Sequence, residues 1–249
     1  MRALENKIIV ISGASSGIGR SCALACGRQG AQLALIGRRK DELLKTAKLT
    51  GGKSHIYCQD LTDYDQIPAL VQSIVKDMGK ISGFIHSAGI ETVLPLKITT
   101  HKHFESAFAI NVISAFEIAR EIARVKNMSE QGASLLFISS VMGVVGQPTK
   151  TVYSATKGAL IAGAKSLALE LTRKNVRVDC VSSGMVNTGM SQSLLDKVSP
   201  EAMDAIIRDH PLGIGEDIDI ANICTFLLSD SAKWITGANY VVDGGYTAS

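Results

Sequence analysis

Short apolar runs rich in β-branched residues recur along the chain and alternate with segments of helical periodicity. The run at 7–12 reads Lys-Ile-Ile-Val-Ile-Ser, as expected for a strand buried on both faces. Helical patterns follow at about 18–28 and 40–48. Further strand-like runs lie at 31–36, 54–58, 83–86, 134–138, 176–181 and 239–242. This alternation predicts a doubly wound parallel sheet of about seven strands, with right-handed crossovers and helices on both faces.

One segment, at about 190–215, interrupts the alternation. It contains Ser199-Pro-Glu, a helix start, and ends in His210-Pro-Leu-Gly-Ile-Gly, a turn. A long insertion late in an α/β chain is often a lid over the substrate, although a surface excursion is the alternative. No repeat or Pro/Gly linker divides the chain, and 249 residues suit one large α/β domain. We therefore expect a single domain over 1–249 with a substrate lid at 190–215.

Composition excludes several classes of protein. Hydrophobic residues make up 46% of the chain, but no apolar run approaches the roughly 20 residues of a membrane span. The charged start leads directly into a strand, unlike a signal peptide, so we expect no membrane association and a cytoplasmic location. The net charge of +3 is scattered, which argues against nucleic-acid binding. The five cysteines show no metal-ligand spacing and are expected to be reduced thiols, and no metal site is expected.

A glycine-rich turn, Ser-Gly-Ala-Ser-Ser-Gly-Ile-Gly at 12–19, separates the first strand from the first helix. Gly13 permits a tight turn, and Gly17 and Gly19 allow a pyrophosphate to approach the helix amides. The intervening residues expected to line the same site are Ser15, Ser16 and Ile18. Turns need glycine in any case, but the position directly after the first strand favours dinucleotide binding.

The end of the second strand bears on the choice of nucleotide. An acidic residue there would accept hydrogen bonds from an NAD ribose, whereas this chain has Gly37-Arg-Arg. A guanidinium matches phosphate in geometry and charge, so Arg38, helped by Arg39, is a candidate clamp for the 2′-phosphate of NADP(H). The alternative is that both arginines are solvated charges that open the next helix.

Tyr153 and Lys157 are spaced to share one face of a helix. An ammonium about 4 Å from a phenol is expected to lower the phenol's pKa by roughly three units at an effective dielectric near 20. A positive nicotinamide would act in the same direction, so Tyr153 is a candidate acid and base for a carbonyl or alcohol. The apolar run at 134–138 continues into Ser139 and Ser140, so the strand is expected to end in hydroxyls at the edge where α/β folds bind ligands. Ser140 could there hold and polarise the carbonyl.

Together these residues resemble the short-chain dehydrogenase/reductase family over essentially the whole chain. The motifs that carry the resemblance are Gly13, Gly17, Gly19, Asp60, His86-Ser-Ala-Gly at 86–89, Asn111, Ser140, Tyr153 and Lys157. The resemblance implies a single Rossmann-like domain, metal-free hydride transfer and a homotetramer. It also implies a proton-relay water supported by Asn111, and a dual role for Lys157 as activator of Tyr153 and ribose ligand.

The resemblance further implies the cofactor contacts. Asp60 matches the family's adenine contact, Thr188 the nicotinamide carboxamide contact, and Arg38 the 2′-phosphate ligand of NADP-using members. The remaining expected contacts are Leu61, Ser87, Ala88, Gly89, Gly184 and Val186.

Three positions depart from the family pattern. His86-Ser replaces the usual Asn-Asn, which alters hydrogen bonding near the cofactor, and Ser183-Gly replaces Pro-Gly, which is expected to loosen the backbone beside the nicotinamide. Ser16 stands where many NADP-using members have a basic residue, so phosphate recognition is expected to depend mainly on Arg38.

The sequence therefore predicts an NADP(H)-dependent oxidoreductase acting on a small carbonyl or alcohol or on an acyl thioester. A reductase resembling those for 3-oxoacyl-[acyl carrier protein] is the first interpretation. A hydroxysteroid, sugar or polyol dehydrogenase is the alternative, because substrate choice lies in loops. A catalytically silent nucleotide-binding scaffold is a third reading, which the presence of all four catalytic candidates disfavours.

Overall fold

Seven parallel strands form the central sheet of the computed structural model, which describes residues 2–189, 199 and 206–248. Their bounds are β1 Ile8–Ser12, β2 Gln32–Gly37, β3 Ser54–Cys58, β4 Gly83–His86, β5 Ala133–Ser140, β6 Val176–Ser183 and β9 Asn239–Val242. Their spatial order in the sheet is β3-β2-β1-β4-β5-β6-β9. The predicted doubly wound parallel sheet is thereby confirmed.

Helices cover both faces of the sheet. They are α1 Gly17–Arg28, α2 Lys40–Leu49, α3 Ile67–Met78, α4 His101–Phe108, α5 Ser114–Ile122, α6 Thr151–Leu171 and α7 Asp217–Leu228. One apolar layer contains buried side chains of α3, α5 and α6, and the other those of α1, α2 and α7. Because each layer is packed against the same strands, the strands are apolar on both sides, which explains their continuous hydrophobic runs. No helix in the described part of the chain is long and apolar enough to cross a membrane.

The sheet strands match the sequence prediction closely, and the main differences are at β5 and β6. Each extends two residues further and ends in buried hydroxyls, at Ser140 and Ser183. These serines are paired across the two strands. Ser12, the last residue of β1, is paired in the same way with His86 of β4. The carboxyl ends of the four central strands thus place polar side chains at one edge of the sheet.

A second, two-stranded sheet was not predicted. Val186–Asn187 (β7) pairs with Gly215–Glu216 (β8), which ties together the two ends of the segment expected to be a lid. Within that segment, 190–198 and 200–205 lie outside the described residues, so the lid remains a prediction. Two-residue strands show no periodicity in a sequence, which explains why the pair was missed.

Candidate active site

The start of α6 is held against the end of β5 by two close contacts. The Ser139 hydroxyl donates to the backbone carbonyl of Lys157 at 2.9 Å. On the other side, a Cβ at Gly143 would lie 2.8 Å from the Lys157 carbonyl carbon, so the turn after β5 and the helix can approach this closely only with glycine there. This packing brings Ser140, at the end of β5, to Tyr153 in the first turn of α6.

Ser140 and Tyr153 line the same cavity, and the Ser140 hydroxyl is close enough to Tyr153 to lower the pKa of the phenol. The Ser140 hydroxyl also accepts a hydrogen bond from the Met142 amide at 3.2 Å, which fixes its orientation at the start of the turn. Burial raises the pKa of Tyr153, the nearby Glu91 carboxylate raises it further, and the Ser140 hydroxyl only partly opposes them. Tyr153 is therefore a neutral phenol at neutral pH.

Lys157 is directed to the backbone of β5. Its ammonium donates to the Ile138 carbonyl at 2.8 Å and lies 5.4 Å from the centre of the Tyr153 ring. Burial lowers the pKa of Lys157 to about 8, with Cys180 and Glu91 acting in the opposite direction. The expectation that Lys157 lowers the pKa of Tyr153 is thus wrong for the chain alone, because burial and Glu91 outweigh any attraction from the ammonium.

Asn111 is fully buried in a turn of π-helix, Ala109–Ile113, between α4 and α5. Its side-chain amide donates to the Ile90 carbonyl at 2.9 Å and to the Thr156 hydroxyl at 3.0 Å, and its oxygen accepts from the Ile90 amide at 2.8 Å. The side chain therefore joins the segment after β4 to α6. Its support of a relay water stays a prediction.

The π-turn is braced by side chains from outside it. The Tyr64 hydroxyl donates to the Ala109 carbonyl at 3.2 Å, and the Ser114 hydroxyl donates to the Ile110 carbonyl at 2.7 Å. Carbonyls in a π-turn depart from the regular helical ladder, and such turns occur frequently at functional sites. These two bonds fix the position of the turn and so hold the Asn111 side chain beside Thr156.

His86, which replaces asparagine in the family pattern, bridges this turn to the cofactor turn. Its Nδ1 lies 3.0 Å from the Ser12 hydroxyl and its Nε2 lies 3.3 Å from the Ile110 carbonyl. Burial lowers the pKa of His86 to about 3, and Lys157 lowers it further. The neutral ring therefore donates a hydrogen bond from Nε2 to the Ile110 carbonyl and accepts one from the Ser12 hydroxyl at Nδ1. The Ser12 oxygen in turn accepts from the amides of Ser87 and Ala88, so the altered hydrogen bonding is built into the fold.

A cavity of about 520 Å³ runs along this edge of the sheet. Its lining includes most of the residues predicted to bind the cofactor: Gly13, Ser15, Ser16, Gly17, Ile18, Arg38, Arg39, Leu61, Ser87, Ala88, Gly89 and Thr188. Residues that sequence reasoning missed also line it: Gly37, Gln59, Ile90, Ile110 and Gly189. The only available signal for Gln59 was its position beside Asp60.

The remaining predicted cofactor residues lie around that cavity. Gly19 sits beneath Gly13, since a Cβ on Gly19 would overlap the Gly13 carbonyl. The Asp60 carboxylate accepts hydrogen bonds from the amide and hydroxyl of Thr62, which hold its pKa below the usual range, with a smaller effect from Arg38. Gly184 and Val186 line an adjoining cavity together with Tyr153.

The glycine turn fits a dinucleotide on structural grounds. Gly13 and Gly17 have positive φ angles of 68° and 50°, and a Cβ on Gly13 would lie 2.7 Å from the Ala88 amide nitrogen. The first turn of α1 carries no acidic residue, so its amides present a positive end to the cavity. A diphosphate can therefore approach the backbone closely, and Lys157 and Tyr153 lie at the other end of the same edge.

The two arginines after β2 differ in their contacts. Arg39 donates to the hydroxyls of Ser15 and Ser16 at 2.9 and 2.8 Å. Arg38 is 71% exposed and lies 3.8 Å from the Asp60 carboxylate. Both arginines line the cavity, and Arg39 is held there by the two serine hydroxyls. The expectation that phosphate recognition depends mainly on Arg38 stays a prediction.

The adjoining cavity, of about 180 Å³, is lined by Ser140 and Tyr153. Its walls also contain Glu91, Lys150, His210 and Tyr246, none of which the sequence singled out, together with apolar residues such as Met142, Met185 and Ile206. The His210 ring stacks on Tyr246 with centroids 4.9 Å apart. These side chains come from five separate parts of the chain, and only the fold brings them together.

The backbone beside this cavity is tightly held. The Gly184 amide donates to the Val242 carbonyl at 2.9 Å, and a Cβ on Gly184 would lie 2.6 Å from the Asp243 Cα. The glycine is thus packed against the end of β9 and the residue that follows it, and the expectation that Ser183-Gly loosens this backbone stays a prediction. Within the described ranges, no group of three or more His, Cys, Asp or Glu could hold a metal ion.

Comparisons with known proteins agree with this arrangement. The family model described as enoyl-(acyl carrier protein) reductase matches residues 13–247. The chain is 31% identical to 3-oxoacyl-[acyl-carrier-protein] reductase of Thermotoga maritima, over 97% of this chain and 98% of that protein. It is 36% identical to the NADP-dependent (R)-specific alcohol dehydrogenase of Lentilactobacillus kefiri, over 98% of each chain. A crystal structure of a dehydrogenase/reductase from Sinorhizobium meliloti 1021 superposes with a TM-score of 0.90 at 26% identity, over 98% of this chain and 96% of that one.

The chain belongs to the short-chain dehydrogenase/reductase family. It is an oxidoreductase that acts on carbonyl and alcohol groups with a nicotinamide cofactor.

Proposed function

We propose that the chain is an NADP(H)-dependent carbonyl reductase with Ser140, Tyr153, Lys157 and Asn111 as its catalytic group. The observation that carries the proposal is that Ser140 and a buried, neutral Tyr153 line one cavity, with the Lys157 ammonium 5.4 Å from the centre of the Tyr153 ring. A protonated phenol is the form that gives a proton to a carbonyl oxygen, which is the role proposed for Tyr153. The nicotinamide, when bound, supplies the hydride.

The protein's own groups act in a simple order. The Ser140 hydroxyl donates to the substrate carbonyl oxygen and holds it beside the Tyr153 hydroxyl. Tyr153 then transfers its proton to that oxygen as the carbonyl carbon becomes an alcohol carbon. The Lys157 ammonium, held by the Ile138 carbonyl, stabilises the negative charge left on the tyrosine oxygen. Asn111 holds α6 and the segment after β4 together during this step through its hydrogen bonds to Thr156 and Ile90.

The substrate class is part of the proposal. A 3-oxoacyl thioester on acyl carrier protein is the first candidate, in line with the relative from Thermotoga maritima. The chain is as similar to an alcohol dehydrogenase, at 36% identity, as it is to that reductase, so sequence similarity does not choose between the two substrate classes. The residues of the substrate cavity are the better guide. Its charged wall at Glu91 and Lys150 favours a second candidate, a sugar or polyol. A hydroxysteroid is the remaining alternative.

A substrate panel tests the proposal. The purified protein is mixed with NADPH or NADH and with 3-oxobutanoyl thioesters, ketosteroids and ketoses, and absorbance of the reduced nicotinamide is followed. We expect turnover of at least one carbonyl compound, with NADPH preferred. Nucleotide binding without turnover of any compound would contradict the proposal and favour a silent scaffold.

The preference for NADPH is proposed to depend on both arginines. Replacing Arg39 by alanine removes the guanidinium that is proposed to donate charge-assisted hydrogen bonds to the 2′-phosphate. Each such bond is worth about 1.5–3 kcal/mol. We expect Arg39→Ala and Arg38→Asp to raise KM for NADPH about tenfold or more, with a smaller change for NADH. Steady-state kinetics with both nucleotides measures this. Arg173→Ala, an exposed arginine outside both cavities, is the control. Equal losses for NADPH and NADH would contradict a phosphate clamp.

A homotetramer in the cytoplasm completes the proposal. Large apolar side chains are exposed on the surface, including Trp234 at 98%, Leu169 at 79% and Val125 at 71%. Leu169 lies on the long helix α6, whose apolar residues cover more than one face. Such surfaces are typical of contacts between identical subunits in closed assemblies.

A further inference from the structure

A half-enclosed ion pair forms part of the wall of the substrate cavity. The Lys150 ammonium donates to the Glu91 carboxylate, and the side chains are only 13% and 16% exposed. Both residues line the cavity that contains Ser140 and Tyr153. Glu91 lies close enough to the reacting groups to raise the pKa of both Tyr153 and Lys157. The pair is therefore part of the catalytic surroundings and not a distant surface contact.

The backbone that presents Lys150 is strained. Thr149, a β-branched residue, has a φ angle of 71°, in the left-handed region that such residues rarely adopt. Such a conformation persists only where the surroundings hold it. The Leu94 amide donates to the Thr149 carbonyl at 2.9 Å, which ties this turn to the segment that follows β4 and contains Glu91. Lys150, the next residue, meets Glu91 across the two tied segments.

Stability alone gives little reason to keep this pair. Removing two charges from water costs energy that mutual attraction repays only in part, and apolar residues of similar volume are often as stable. A carboxylate and an ammonium side by side offer a ligand both an acceptor and donors. A hydroxyl group matches both at once, because it donates through its hydrogen and accepts through its oxygen. A thioester carbonyl can use only the ammonium and would face the carboxylate oxygen without a hydrogen bond.

We propose that the Glu91–Lys150 pair binds a hydroxyl group of a polyhydroxylated small substrate, such as a ketose or a polyol. This inference rests on the proposed function, since the reacting carbon is taken to lie at Ser140 and Tyr153. The cavity of about 180 Å³ is smaller than the roughly 300–1,000 Å³ of sites for drug-sized ligands, in keeping with a small substrate. Gln147, Asp209 and His210 add further polar groups to its wall.

A matched pair of ketones tests the inference. 2-Butanone and erythrulose (1,3,4-trihydroxybutan-2-one) share one four-carbon skeleton and one reacting carbonyl, and differ only in hydroxyl groups. For wild type, Glu91→Gln, Lys150→Met and the double variant, kcat/KM is measured with both ketones. Any effect of the substitution on proton transfer at Tyr153 is common to the two ketones and cancels in their ratio. We expect wild type to prefer erythrulose, and each variant to lower that preference at least tenfold.

The double variant and a distant control separate recognition from folding. The double variant removes both charges together, so it leaves no unpaired buried charge if a single variant fails to fold. Glu130→Gln breaks an exposed ion pair with Lys80, outside the substrate cavity, and should leave the preference unchanged. Equal losses on the two ketones, no loss on either, or a wild-type preference for 2-butanone or 3-oxobutanoyl thioester would overturn the inference.

A binding measurement keeps the inference separate from the proposed function. If wild type reduces no carbonyl compound, the proposed function fails, but calorimetric titration of the nucleotide complex with erythritol still tests the pair. Binding by wild type that weakens at least tenfold in Glu91→Gln would support hydroxyl recognition. An absence of binding by wild type, or equal binding by both proteins, would overturn it.

Discussion

Replacement of Tyr153 by phenylalanine is expected to lower kcat by about 10²–10⁴-fold, the usual contribution of a positioned proton donor. The substitution deletes only the hydroxyl that shares the cavity with Ser140 and keeps the ring that packs near Lys157. Nucleotide affinity should therefore change little, because the glycine turn and the arginines are untouched. Steady-state kinetics and titration with NADPH measure the two quantities separately.

A matched control is available for this substitution. Tyr57 lies on β3, and its hydroxyl donates to Asp77 at 3.0 Å, outside both cavities. Tyr57→Phe removes a hydroxyl of the same kind and should leave kcat within about twofold, as expected for a surface change. If Tyr153→Phe retained more than a tenth of wild-type kcat, another group would have to donate the proton. Loss of nucleotide binding in that variant would instead indicate a structural role.

The central strands were predictable because the middle of the sheet is buried on both faces, as at β4, where every residue is buried. The edge strands at 54–58 and 239–242 also match the predicted runs, although none of their residues is fully buried. The end of β5 in hydroxyls was predicted at Ser140, whereas the end of β6 was missed because serines follow the apolar run. The serines at both strand ends are buried in hydrogen bonds that only the fold supplies, as Ser139 donates to the Lys157 carbonyl and Ser182 to the Asn239 side chain at 2.7 Å.

The candidate site was predictable where its members are close in sequence or follow a strand. Tyr153 and Lys157 share a helix face, and Ser140 follows a strand, so their meeting at one edge follows from the parallel sheet. Glu91 and Lys150 carry no such signal, because an ion pair 59 residues apart in sequence depends on how two loops pack.

The sign of the Tyr153 pKa shift was missed for a related reason. The sequence shows which charges are near along a helix, but burial and the carboxylate of Glu91 decide the result. The contact of Arg39 with Ser15 and Ser16 was likewise hidden, because it depends on how the loop after β2 folds over the glycine turn.

Replacement of Lys157 by methionine is expected to stabilise the protein while abolishing most of its activity. Burial lowers the pKa of Lys157 to about 8 from an ordinary 10.5, so at neutral pH the folded chain holds a charged group in a site that disfavours the charge. That shift corresponds to about 3 kcal/mol of unfolding free energy. Methionine has similar length and no charge, but it loses the hydrogen bond to the Ile138 carbonyl. A net gain of about 1–3 kcal/mol at pH 7 is therefore expected.

The pH dependence of this gain identifies its cause. Between pH 8 and 10.5 the unfolded chain binds more protons at Lys157 than the folded chain, so wild-type stability rises with pH. Below pH 8 the penalty is present in full, and above 10.5 it is absent. Urea unfolding of Lys157→Met and wild type at pH 7 and pH 10 should accordingly show a gain that shrinks with pH. Lys165→Met, on the exposed face of the same helix, should change stability by less than about 0.5 kcal/mol.

A loss of stability in Lys157→Met at pH 7, or a gain that does not depend on pH, would contradict the buried-charge explanation. The expected result separates the two demands on this position. Folding favours an apolar side chain next to β5, whereas charge stabilisation beside Tyr153 requires an ammonium there. An active site that keeps lysine at this depth retains a local instability for the sake of its chemistry, which is the usual relation between stability and activity in enzymes.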